Sequence, residues 1–180
     1  MANTQHPHLP TQHVLRVGLT GGIGCGKNAV AAYLESMGAL IIDTDLIAHQ
    51  ITGPNGMAMP AIKSLFGEEF LQSDGSLDRA RMRALVFNDP KAKLALEQIT
   101  HPLIHQKSQE IAAEGTKKQP PYIVFMVPLL IESGQWINQT PAKIDYVVVV
   151  DCSEELQISR VTVRNQLPKK TIQKIMATQA

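Results

Sequence analysis

The stretch Gly21-Gly22-Ile23-Gly24-Cys25-Gly26-Lys27 constrains this 180-residue chain more than any other. An apolar run, Val14 to Leu19, broken by the charge of Arg16, leads into it, and a helical pattern with Val30, Ala31 and Leu34 on one face follows from Lys27. A buried parallel strand, a glycine loop and a helix form the setting in which the spacing G-x-x-x-x-G-K cradles phosphate. Glycine lets the backbone curl so that its N–H groups converge on phosphate oxygens. The helix N-terminus adds partial positive charge, and Lys27 adds a full one. After the lysine such loops carry a hydroxyl for Mg²⁺, but this chain has Asn28. An amide oxygen is a competent Mg²⁺ ligand, yet the side chain is longer and its NH₂ competes for the same direction. Asn28 is therefore expected to keep nucleotide binding and to lower the catalytic rate.

Further strands place the remaining chemistry. Leu40 to Asp43 reads as a second strand, with a helix from Leu46 to Ile51 that stops at Gly53-Pro54-Asn55-Gly56. Beyond it, to about Gly115, the pattern is helical: Met57 to Phe66, a helix capped by Asp78 that reaches Phe87, and another opened by Asp89-Pro90. His101-Pro102 is expected to break that last helix, with a further one running to about Glu114. Tyr122 to Val127 is a third strand, closed by Pro128-Leu129-Leu130-Ile131-Glu132. Asp145 to Val150 is a fourth, β-branched as a strand covered on both faces should be. Ser153 caps a helix carrying Arg160 and Arg164, and a final helix starts at Pro168. Short apolar strands alternating with helices predict an α/β doubly wound parallel sheet.

In such sheets the site lies beyond the carboxyl ends of the strands, where Gly21 to Lys27, Asp43 with Asp45, and Pro128 to Glu132 should converge. Phosphoryl transfer needs a metal, an oriented hydroxyl and cationic cover for the γ-phosphate. One of the two carboxylates can hold Mg²⁺ through water while the other accepts the proton of an attacking hydroxyl; either can instead cap the helix that follows. Arg160 and Arg164, four apart, either close over the phosphates or form a solvated basic surface. His101 reads equally as a helix break or a substrate contact.

The net charge of +1 offers no footprint for nucleic acid, and no stretch reaches membrane-spanning length, so neither partner is expected. Cys25 and Cys152 have no metal spacing and read as reduced thiols of a cytoplasmic protein, Cys25 being reactive at its helix N-terminus. Residues 1–13, polar and with His6, His8 and His13, are expected to be a flexible extension. The chain is expected to be a monomer or a weak homo-oligomer.

Together these strings resemble the dephospho-coenzyme A kinase family. The resemblance is carried by G-L-T-G-G-I-G-C-G-K at Gly18 to Lys27, where the family usually has Ser in place of Cys25, and I-D-T-D-L-I-A-H at Ile42 to His49. It continues through L-D-R-A-R-M-R at Leu77 to Arg83, V-F-N-D-P at Val86 to Pro90, H-P-L-I at His101 to Ile104 and V-P-L-L-I-E at Val127 to Glu132. The helix of Arg160 and Arg164 and the ending Ala177 to Ala180 also match, so it spans essentially residues 14–180.

The resemblance implies a P-loop NTPase fold with a helical substrate-binding insert (about 53–115), a core at 14–52 and 116–152, and a helical lid (about 153–180). It implies phosphorylation of the ribose 3′-hydroxyl of dephospho-coenzyme A by ATP with Mg²⁺. By it, ATP lies on Gly21, Gly22, Ile23, Gly24, Cys25, Gly26, Lys27, Asn28 and Ala29; catalysis falls to Asp45, Lys27, Arg160 and Arg164; and Asn28 and Asp43 lie on the metal side. Asp45, His49, Arg79, Arg83, His101, Pro128, Leu129 and Leu130 are the expected substrate contacts. Asn165 stands where the family commonly has Asp, and the chain is expected to stop about one strand and one helix before the family's core ends. Two other readings compete: a shikimate-type kinase, which also pairs the loop with D-x-D but gives H-P-L-I no role, and a nucleotide-binding protein with impaired turnover.

Overall fold

The computed structural model describes residues 14–134, 136–137 and 144–179, so the expected N-terminal extension lies outside the described residues. Four parallel strands, β1 (Leu15–Gly21), β2 (Leu40–Asp43), β3 (Tyr122–Met126) and β4 (Tyr146–Val150), form one sheet in the order β2-β3-β1-β4. Helices α1 (Lys27–Ser36) and α2 (Thr44–Ile51) follow β1 and β2; α3 (Met59–Phe66), α4 (Arg79–Asn88) and α5 (Pro90–Thr116) separate β2 from β3; α6 (Leu130–Ser133) follows β3; and α7 (Glu154–Asn165) and α8 (Lys169–Met176) follow β4.

The strand pleat explains the two layers. On β3 and at the residue just after it, Ile123, Phe125 and Val127 face one side, packing with Ile42, Ile47, Ile62, Met82 and Trp136. Val124 and Met126 face the other, with Leu19 and Ala31 of the α1 side. This period of two is what a sheet covered on both faces requires. Leu19, Ile42, Ile123, Val124 and Phe125 are at most 1% exposed, and burying each such side chain contributes roughly 1.5–3 kcal/mol. Register brings Leu19 and Asp43 each opposite Met126, and Gly21 opposite Val150. The carboxyl ends of all four strands therefore lie along one edge of the sheet.

Two expectations fail. Helix α5 is not broken at His101-Pro102 but runs continuously through it. An interior proline costs about 3 kcal/mol; this one is tolerated because α5 is anchored at its start, where Asp89 accepts from the N–H groups of Lys91 and Ala92 and Pro90 stands at the first turn. Side chains along its length, from Leu96 to Ala112, also pack into the core. Strand β4 is not covered on both faces: Tyr146 is 63% and Val149 50% exposed. It pairs with β1 and stands at the end of the strand order, so its β-branched run reports strand propensity rather than burial.

Candidate active site

The phosphate loop is built from backbone only glycine adopts freely. Gly24 (φ 77°) and Gly26 (φ 103°) are left-handed, and Gly26 caps α1. A Cβ on Gly24 would meet the Gln157 carbonyl and Val161 of α7 at 2.8 Å each, so the loop and α7 are pressed together. Arg160 on α7 donates from Nη1 to the carbonyls of Gly24 and Cys25, both at 3.2 Å, and lies 3.8 Å from Cys152 Sγ. Arg164, one turn on, is exposed and donates to Asn165 Oδ1 at 2.8 Å. Ile23 N–H donates to Gln179 Oε1 at 2.8 Å. Both cysteines are free, but Cys25 is only 5% exposed, so burial shields the thiol expected to be reactive.

The acidic pair divides its work. Asp43 Oδ1 accepts from Asp45 N–H (2.9 Å) and Leu46 N–H (3.3 Å), so it caps α2, which starts at Thr44 rather than Leu46. Buried Thr44 donates to the Met126 carbonyl at 2.8 Å, tying the start of α2 to the end of β3. Asp45, in the first turn, is open on its cleft side, yet its carboxyl holds its proton more tightly than the ordinary value of 3.8. Partial loss of hydration is the largest cause, the charge of Asp43 the second; Lys27 and His49 oppose them. His49 Nδ1 lies 2.9 Å from the Asp45 backbone carbonyl, which can only accept, so the proton is on Nδ1. Asp43→Asn keeps a good cap and removes one charge. On the expectation that Asp45 is the base, the acid limb of turnover should move to lower pH; a pH profile of kcat checks this, and an unmoved limb would mean that it does not report Asp45.

Beside this pair opens a cavity of about 840 Å³. Of the expected substrate contacts, Asp45, His101, Pro128 and Leu129 lie on its wall. Leu129 takes a left-handed backbone (φ 52°) there, a strained state for a branched residue. Leu130 is fully buried in the core beneath. His49, Arg79 and Arg83 are not on this wall. Arg79 instead donates to Thr52 Oγ1 (2.6 Å) and the His49 carbonyl (3.4 Å), closing the C-terminal end of α2, while Arg83 is exposed one turn further along α4.

Sequence reasoning missed Glu97, Gln98, His105 and Trp136 on the same wall. The Trp136 ring lies 5.1 Å from His105 and 5.5 Å from Phe125. A solitary tryptophan beyond the P-L-L-I-E string was the available signal. A second cavity, of about 770 Å³, opens beside the phosphate loop between Gly22, Cys152, Gln157 and Gln179.

A parallel sheet that carries a G-x-x-x-x-G-K loop, an acidic pair and a cavity along one carboxyl edge is the mark of a P-loop kinase. The model of the family described as dephospho-CoA kinase, CoaE, matches residues 15–180. The dephospho-CoA kinase of Burkholderia pseudomallei strain K96243 is 54% identical over 164 residues, covering 91% of this chain and 77% of that protein. That of Cupriavidus pinatubonensis is 51% identical over 168 residues, covering 93% and 79%. Among solved structures, TT1252 from Thermus thermophilus aligns with a TM-score of 0.77 at 30% identity, covering 94% of this chain and 82% of that one. The dephospho-CoA kinase from Campylobacter jejuni aligns at 0.62 with 30% identity, covering 91% and 79%. The chain belongs to the dephospho-CoA kinase family, ATP-using transferases of coenzyme A biosynthesis.

Proposed function

We propose that this chain transfers the γ-phosphoryl group of ATP to the ribose 3′-hydroxyl of dephospho-coenzyme A, giving coenzyme A and ADP. The observation that carries the reading is that one carboxylate joins two sites: Asp45 lines the acceptor cavity and also interacts electrostatically with Lys27 of the phosphate loop. Asp45 accepts the proton of the 3′-hydroxyl as its oxygen attacks the γ-phosphorus and the bond to ADP breaks. Backbone N–H groups of the loop between Gly22 and Asn28 and the Lys27 ammonium hold phosphate oxygens, those of Ile23 and Cys25 only after leaving Gln179 Oε1 and the Gly22 carbonyl, to which they donate in this structure. Arg160, already fixed against the loop, and Arg164 supply positive charge as the transferred group loses its bonds. On this reading α3, α4 and α5 form the acceptor side, and α7 and α8 the lid.

Among the described residues no three His, Cys, Asp or Glu side chains cluster as a metal site. A Mg²⁺ bound together with ATP would not call for one, since phosphate and water would supply most of its ligands. The residues present fit: Asp43 has a carboxylate oxygen beyond the one that caps α2, and Asn28, exposed at the start of α1, offers a carboxamide oxygen. When bound, Mg²⁺ neutralises charge on the phosphates. Because Mg²⁺ tolerates misplaced ligands badly, Asn28→Ser or Asn28→Thr should raise turnover and lower the Mg²⁺ concentration giving half-maximal rate. A Mg²⁺ titration of kcat checks this; an unchanged midpoint would mean that Asn28 already serves as an adequate ligand.

No helix among the described residues is long and apolar enough to cross a membrane. We place the chain in the cytoplasm as a monomer or weak homo-oligomer, with no nucleic-acid or membrane partner. The function is tested by ADP release with candidate acceptors: release should depend on dephospho-coenzyme A and not on shikimate, and the reverse would overturn the reading.

A further inference from the structure

Helix α5 runs through Pro102, although proline is the residue a helix interior tolerates least. With no N–H at position 102, the carbonyl of Gln98, four residues earlier, has lost its helical donor. No backbone N–H from outside the helix replaces it among the described residues. Gln98 and Pro102 both line the acceptor cavity, with Glu97 and His101 beside them, and both are exposed. Both ends of the gap in the helical ladder thus belong to the wall that Asp45 shares. A carbonyl without its helical donor gains from a ligand that supplies one.

The rest of the wall narrows the donor. Leu94, the Pro102 ring and Trp136, which is mostly buried and tilted at 47° to His105, offer apolar and aromatic surface suited to a heteroaromatic base. We propose that the Gln98 carbonyl, freed by Pro102, accepts a hydrogen bond from the exocyclic amino group of the acceptor's adenine, making Pro102 a positioning residue for acceptor recognition. This rests on the assignment of the cavity to dephospho-coenzyme A. A carbonyl at this point separates an amino edge from a keto edge, because a keto oxygen would face another acceptor with no proton between them.

The test compares Pro102→Ala and Pro102→Ser with the unaltered chain, using dephospho-coenzyme A and its hypoxanthine analogue. Both substitutions restore the N–H, return the Gln98 carbonyl to the helix and suit a helix better than proline does, so the melting temperature should rise. KM for the adenine acceptor should rise about fivefold, as for loss of one neutral hydrogen bond, with kcat and KM for ATP unchanged. KM for the hypoxanthine acceptor should stay level or fall, so the preference for adenine collapses. An unchanged KM for the adenine acceptor, an equal rise with both acceptors, or a fall in kcat would overturn the proposal. Turnover of dephospho-coenzyme A by the unaltered chain separately tests the assigned reaction, so the two failures are distinguishable.

Discussion

Asp45→Asn should lower kcat by about 10²–10⁴ and leave the affinity for ATP unchanged, as expected for loss of a positioned base. The amide keeps the size of the side chain and the start of α2, which Asp43 caps, but cannot take the hydroxyl's proton. The same substitution has a second consequence, in stability. The folded chain binds the Asp45 proton more tightly than the ordinary value of 3.8 allows. Ionisation is therefore disfavoured in the folded state, and stability falls as pH rises through the folded value. At neutral pH the variant should melt at the same temperature or higher, and this difference should vanish once the pH is low enough to protonate Asp45 in both states. Loss of rate without loss of stability separates a catalytic group from a structural one. Near-normal turnover of Asp45→Asn would pass the role of base to Asp43.

Lys27→Met is the other large effect. If Lys27 holds the phosphates as proposed, removing that preorganised cation should lower kcat by about 10²–10³ and weaken ATP binding as well. It should also move the acid limb of the pH profile upward, because the Lys27 charge lowers the Asp45 pKa against burial and Asp43. Asp43→Asn should move the same limb downward. Opposite displacements from two single substitutions are difficult to produce except through one shared titrating group. A limb that ignores both would detach Asp45 from the chemistry.

The parts of the site legible in the sequence are those set by local rules. The glycine spacing from Gly21 to Gly26 required the left-handed backbone found at Gly24 and Gly26. The short runs ending in Asp43 and Val127 are strands because their alternation buries residues on both faces. The cap reading and the site reading of the acids proved compatible, since Asp43 accepts the α2 N–H groups while Asp45 faces the cavity. What sequence could not show depends on tertiary packing. Pro102 signals a helix break by any local rule, yet α5 is held by its cap and by core contacts along its length. Val147, Val148 and Val149 look like a buried strand, yet they are 37–50% exposed on the strand that ends the sheet, a place no local pattern encodes. Arg79, expected as a substrate contact, donates to Thr52 and the His49 carbonyl at the end of α2, a partnership that its spacing in the sequence does not encode.

On the proposed reading Asp45, which lines the cavity beside the G-x-x-x-x-G-K loop, directs the γ-phosphoryl group to one hydroxyl. The most direct measurement is ³¹P NMR of the product formed from ATP and dephospho-coenzyme A. A new phosphomonoester on the ribose 3′-oxygen is expected, formed in step with ADP and about 10²–10⁴-fold more slowly with Asp45→Asn. Phosphate at the 2′-oxygen, or ADP released with inorganic phosphate and no phosphorylated acceptor, would contradict it.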